Sequence, residues 1–138
     1  MESKAIEGLS FHHAALQVSD FEKSLKFYTE GLGFTLFRKW TAGTGKTLAL
    51  IDMGSKEYFE LFSDGEKRTH DDAEAGSFLH LALRVKDTKA AYARAIEYGA
   101  SPLTEPKHVD IPSDPVLPVS LSFVKGPDGE QIEFFQPE

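Results

Sequence analysis

Leu79, Leu81, Leu83 and Val85 recur at every second position, the spacing that lines one face of a β-strand. Residues 78–85 therefore read as a strand with an apolar face, and Phe78, His80, Ala82 and Arg84 fall on the other side. Residues 10–18 carry the same alternation. Leu16 and Val18, with His12 and Ala14, take one face, and Phe11, His13, Ala15 and Gln17 take the opposite one. After each strand the period becomes helical. Phe21, Leu25, Tyr28 and Leu32 stand at i, i+4, i+7 and i+11, one apolar stripe. Ser19 and Glu22 are spaced as a capping box, and Gly31 and Gly33 supply the stop. In the later stretch Asp87 caps a helix that runs to about Tyr98 and ends at Gly99. Strand-like runs follow the first helix near 34–41, 46–53 and 56–63, with turns at Gly43-Thr44-Gly45 and Gly54-Ser55. Those after the second helix lie near 101–105, 119–125 and 130–136. Gly126-Pro127-Asp128-Gly129 makes a turn there, because Pro fixes φ and Asp-Gly tolerates the left-handed conformation that follows.

The chain thus writes β-α-β-β-β twice. Phe11 to Asp20 aligns with Phe78 to Asp87 at an offset of 67, and Leu48 to Phe62 aligns with Leu121 to Phe135 at an offset of 73. The fold class is α+β, one domain over 1–138 built from two βαβββ modules in tandem. Module one covers 9–63, a polar linker 64–77, and module two 78–136. The six additional residues fall within 102–118, which holds five of the seven prolines. That composition predicts a stiff irregular loop in place of a strand. Such a loop is either a surface connection or a wall or lid over a site.

Charge and composition narrow the chemistry. A net charge of −7 with no Lys/Arg run argues against nucleic acid and anionic membrane as partners. With no apolar stretch of membrane-spanning length and no charged-then-apolar leader, the reading is cytoplasmic. The chain has no Cys, so thiolate nucleophiles and thiolate metal ligands are excluded. The eleven Phe supply bulk for a core.

The repeat places one His near the start and one Glu near the end of each module: His13 with Glu60, and His80 with Glu133. By strand alternation all four lie opposite the apolar helix-side stripes, beside Tyr58, Phe62, Gln131, Phe135, Gln17 and Arg84. A single His or Glu in a strand is ordinarily a hydrogen-bonded or solvated residue. Together the four point elsewhere, because two carboxylates on an aromatic-rich face are costly unless neutralised. A divalent cation cancels both charges, and two neutral imidazoles complete a set of about four N and O ligands. Other features carry less. Gly43-Thr44-Gly45-Lys46-Thr47 lacks the first glycine of a phosphate loop, where Trp40 stands, and reads as a hairpin turn. His12 is a neighbour of the site or is packed beneath it. His70 and His108 read as solvated, Trp40 as packing, and Tyr28 as core.

These residues resemble the vicinal oxygen chelate superfamily, and within it short bacterial glyoxalase I. The resemblance covers nearly the whole chain. It rests on His13 with Leu16 and Val18, Ser24-Leu25-Lys26-Phe27-Tyr28 leading to Gly31-Leu32-Gly33-Phe34, Phe59-Glu60-Leu61-Phe62, His80-Leu81-Ala82-Leu83-Arg84-Val85, and Gly126-Pro127-Asp128-Gly129 before Ile132-Glu133. It implies paired modules whose curved mixed sheet surrounds one divalent metal ion per site. The implied ligands are His13, Glu60, His80 and Glu133, with Ni, Co, Zn, Mn or Fe as the ion. It also implies a lyase or isomerase acting through an enediolate on a small vicinal-oxygen carbonyl compound or its thiol adduct. Glu133 would be the base and Glu60 the second catalytic carboxylate. A homodimer whose sites are shared between chains is implied as well. At the substrate-binding positions the chain departs from the family. Gln17 replaces an Arg that holds a glutathione carboxylate, and Asp64 replaces an Asn. Arg84, the repeat equivalent of Gln17, is the candidate anion anchor. The alternatives on the same scaffold are a dioxygenase, an epoxide-opening thiol transferase and a non-catalytic drug-binding resistance protein.

Overall fold

In each module the first strand pairs with the last and not with its neighbour in sequence. β1 (His13–Gln17) runs parallel to β4 (Tyr58–Phe62), and β5 (Leu81–Arg84) runs parallel to β8 (Gln131–Pro137). Antiparallel β2 (Thr35–Thr41) and β3 (Thr47–Asp52) complete one sheet in the order β1-β4-β3-β2. β6 (Ser101–Ile111) and β7 (Leu117–Lys125) complete the other in the order β5-β8-β7-β6. A parallel pair needs a crossover, and a helix provides it in each module. α1 (Phe21–Lys26) runs into a π-helical turn over Phe27–Gly31, and α2 spans Thr88–Glu97. The result is the tandem βαβββ α+β fold, in two four-stranded mixed sheets. This computed structural model describes Ala5, residues 11–65 and residues 80–138. Ser10, Phe78 and Leu79 of the expected strands, residues 66–77 of the expected linker and His70 lie outside the described residues. No helix among the described residues is long and apolar enough to cross a membrane.

Two expectations are corrected. The cap of α1 is Asp20, whose Oδ1 accepts from the Lys23 amide at 3.1 Å. Ser19 is occupied elsewhere: its amide donates to Asp128 Oδ1 at 2.8 Å. Asp87 caps α2 as expected, accepting from the Ala90 amide. The larger correction concerns 102–118, which is not a loop. Ser101–Ile111 pairs with Leu117–Lys125 as a long hairpin, and its register shifts between Pro102 and Thr104 and between Thr104 and Lys107. Prolines fit here because β6 is an edge strand, where one row of amides needs no partner, and because bulges absorb the mismatch. The six additional residues lengthen the arms of the hairpin and leave its turn short.

The apolar faces of the two sheets meet in one core. Val18, Phe27, Tyr28, Ile51, Phe59 and Leu61 from module one join Ala95, Ala100, Val124, Ile132 and Phe134 from module two. Polar contacts fasten the same seam. Arg94 Nε donates to the Gly31 carbonyl at 2.7 Å, and a Cβ on Gly31 would stand 2.9 Å from Cβ of Tyr98. The β7–β8 turn reaches across to α1. Asp128 takes the Ser19 amide, and the buried Tyr28 hydroxyl donates to Glu130 Oε2 at 2.7 Å. The other carboxyl oxygen of Glu130 accepts from the Asp128 amide at 2.8 Å. Gly126 leaves the room for this carboxyl, since any Cβ there would collide with it.

Burial holds the Glu130 carboxyl above its ordinary value, and the Tyr28 hydrogen bond pulls it partly back. A carboxyl raised on folding contributes most below its unfolded pKa of about 4.3, and that contribution is lost as pH rises through the folded value. Tyr28→Phe removes the donor and raises the Glu130 carboxyl further. Denaturant unfolding should show a loss of about 1–3 kcal/mol near neutral pH, shrinking toward pH 4. A loss of equal size at both pH values would contradict this account of the seam.

Candidate functional site

The parallel pairing sets the position of each His against its Glu. His13 lies opposite Tyr58 and Ala15 opposite Glu60, so His13 and Glu60 are diagonal neighbours on one face. In module two Ala82 lies opposite Glu133, which places His80 in the same diagonal relation. His13 Nε2 stands 3.7 Å from Glu60 Oε1, and His80 Nε2 stands 3.4 Å from Glu133 Oε1. In both pairs the imidazole is open and the carboxylate covered: the side chains are 40 % and 37 % exposed for the histidines, 14 % and 11 % for the glutamates. Burial raises the Glu133 carboxyl above its ordinary value, and the nearby His80 opposes the shift. The His80 ring stands nearly perpendicular to that of Phe123, with ring centroids 5.3 Å apart.

The structure brings the four residues together two by two. Among the described residues no three His, Asp or Glu side chains are grouped to hold a metal ion. Each His stands against the Glu of its own module, on the face opposite the apolar residues that enter the common core.

Around the pairs the faces are apolar and cationic. On sheet one, Gln17, Phe62, Leu48 and Trp40 form a row beside Ala15, Glu60, Leu50 and Arg38. On sheet two, Arg84, Phe135, Leu121 and Lys107 form the row next to Ala82, Glu133, Phe123 and Thr104. The Arg84 side chain is exposed in this row, and among the described residues no side-chain hydrogen bond or ion pair engages it. Gln17 Nε2 donates to the Ser63 carbonyl at 3.3 Å. Asp64 follows in a left-handed conformation at φ 65° and is exposed.

Trp40 differs from its reading in the sequence, and of the two readings of His12 the structure takes the neighbour of His13. Trp40 was expected to pack; it is 41 % exposed on edge strand β2. His12 was assigned by alternation to the helix side. It precedes β1, where alternation no longer applies, and its ring turns to the site face. It stacks on Tyr58 with centroids 5.0 Å apart, and its Nδ1 lies 2.9 Å from Nδ1 of His13. Tyr58 in turn stacks on Phe37, which a bulge in β2 brings to this side. The adjacent pair His12-His13 was the one signal of this contact in the sequence. His108 is exposed as expected, held by Asp110 Oδ1 at 2.8 Å and Glu138 Oε2 at 2.7 Å.

Residues 10–134 match the family model of the Glyoxalase/Bleomycin resistance protein/Dioxygenase superfamily. The chain is 30% identical over 129 residues to a probable lactoylglutathione lyase of Synechocystis sp., covering 90% of this chain and 92% of that protein. It is 31% identical over 131 residues to a lactoylglutathione lyase of Neisseria meningitidis serogroup A, covering 90% and 88%. The solved structure of the trypanothione-dependent glyoxalase I of Leishmania major is 27% identical and superposes with a TM-score of 0.67, covering 94% of this chain and 87% of that one. The chain belongs to the glyoxalase/bleomycin resistance protein/dioxygenase superfamily.

His80 is the group that holds the Glu133 carboxyl down against its burial. His80→Ala should therefore make Glu133 titrate at higher pH than in wild type, read from the pH dependence of its carboxyl carbon in NMR. An unchanged or lowered midpoint would show that the pair is not coupled.

Proposed function

We propose that this member of the superfamily is a metal-dependent lyase or isomerase of glyoxalase I type. Its substrate would be a small vicinal-oxygen carbonyl compound or its thiol adduct. The observation that carries the reading is the His–Glu diagonal, present with the same register in both modules. The donor set fits a divalent cation. Two ligand atoms each about 2.1 Å from such an ion stand roughly 3.0–3.4 Å apart, close to the spacing within each pair. His13, Glu60, His80 and Glu133 would hold the ion, and their N and O chemistry suits Ni, Co, Zn, Mn or Fe. A bound ion would supply Lewis-acid polarisation of two neighbouring substrate oxygens.

The chain's own groups supply the proton chemistry. Glu133 is raised by burial, which makes its carboxylate the stronger proton acceptor. It would take a proton from one substrate carbon and return it to the neighbouring carbon, so that no co-reactant is consumed. Glu60 offers a second carboxylate for the opposite face. Arg84, exposed beside Phe135 on the His80–Glu133 face, would hold an anionic group of the substrate. Gln17 and Asp64 occupy the corresponding rim of module one.

A complete ligand set needs both pairs at one ion, and among the described residues of one chain no three such side chains are grouped. The proposed working unit is therefore a homodimer, each site built from module one of one chain and module two of its partner. The chemistry is proposed to take place in the cytoplasm.

The test is metal content by elemental mass spectrometry, with turnover of methylglyoxal plus thiols measured beside it. Wild type should carry near-stoichiometric divalent metal and His80→Ala should not. Glu133→Gln should lower turnover at least about 100-fold, by more than it lowers metal content. Wild type that neither holds nor takes up metal would overturn the reading. Turnover that survives Glu133→Gln would remove that residue from the role of base.

A further inference from the structure

His12 and His13 present their Nδ1 atoms to each other at 2.9 Å. Two ring nitrogens at that distance share one proton, since two lone pairs or two N–H groups would repel. One ring is therefore the donor and the other the acceptor. On the far side of His13, Nε2 stands 3.7 Å from Glu60 Oε1, too long for a hydrogen bond from Nε2–H. Among the described residues no acceptor on that side asks Nε2 to carry the proton, and an imidazole that binds a metal through Nε2 must carry it on Nδ1. His12 is itself well held. Its ring lies on Tyr58, at 33° between planes, and its carbonyl accepts the Tyr58 amide at 2.8 Å. Tyr58 rests on Phe37, and Arg38 lies over Phe37 at 4.2 Å from the ring centre.

We infer that His12 is a positioning residue: its Nδ1 accepts from Nδ1–H of His13 and thereby fixes His13 in the tautomer and orientation that expose Nε2 as a metal ligand. The inference rests on the proposal that His13 is such a ligand. It also makes the two half-sites unequal. The repeat equivalent of His12 is Leu79, whose side chain offers no acceptor, and His80 instead meets Phe123 in a T-shaped ring contact.

The experiment measures Ni²⁺ affinity by calorimetry in chelator-treated protein, and the tautomer of His13 by ¹⁵N imidazole NMR without metal. The proteins compared are wild type, His13→Ala, His12→Ala and His12→Asn, whose side-chain oxygen lies close to where Nδ1 accepts. His12→Ala should weaken binding about 10–100-fold and abolish the Nδ1–H signature of His13, and His12→Asn should restore both. If His13→Ala destroys binding but His12→Ala leaves affinity and tautomer unchanged, the role of His12 is wrong. The same follows if His12→Asn is as weak as His12→Ala. If His13→Ala binds Ni²⁺ as wild type does, or wild type binds none, the ligand assignment fails, and the inference with it.

Discussion

The pairing of first strand with last, in parallel, is the constraint from which the rest follows. A strand that returned to its neighbour by a short turn would place His13 and Glu60 on strands with no fixed relation. The parallel register instead puts the Glu one diagonal step from the His, and the repeat reproduces that step in module two. Parallel strands cannot be joined by a tight turn, so each module must carry a crossover helix on one face of its sheet. The side with the helix becomes core. The other side carries the His–Glu pair, and period-two alternation assigns each residue to one or the other.

The same constraint explains why each module carries its own His–Glu pair. Both helix faces are apolar, and burial is greatest when they cover each other. Val18 and Phe59 therefore share a core with Ile132 and Phe134. The polar ends of the turns complete the seam, through Asp128 at the start of α1 and Glu130 under the Tyr28 hydroxyl. Buried carboxylates are tolerated there because each is met by donors. Glu60 and Glu133 on the outer faces have a histidine close by and a raised or covered carboxylate, the condition that a cation relieves.

Much of this was legible in the residues. Alternation in 78–85, the helical stripe from Phe21 and the two offsets define the tandem βαβββ order, and they place all four His and Glu side chains on the faces where the structure has them. Three features were not legible, for physical reasons. Proline content marked 102–118 as a loop, because nothing local tells an edge strand, where missing amides do no harm, from a segment without partners. Alternation put His12 on the wrong face, because it extrapolated a strand one residue beyond its first paired position. Which module faces which is set by the shared core and by contacts some hundred residues apart in sequence, such as Tyr28 with Glu130, and no periodicity reports them.

The proposed metal site draws its ligands from two chains. The most direct measurement is the metal content of a heterodimer co-expressed from a chain carrying His13→Ala and Glu60→Ala and a chain carrying His80→Ala and Glu133→Ala. If each site joins module one of one chain to module two of the other, one of the two sites is built entirely from intact pairs. The heterodimer should then bind half the metal of wild type, although neither mutant homodimer binds any. A heterodimer that binds no metal, beside a wild type that does, would show that the site closes within a single chain.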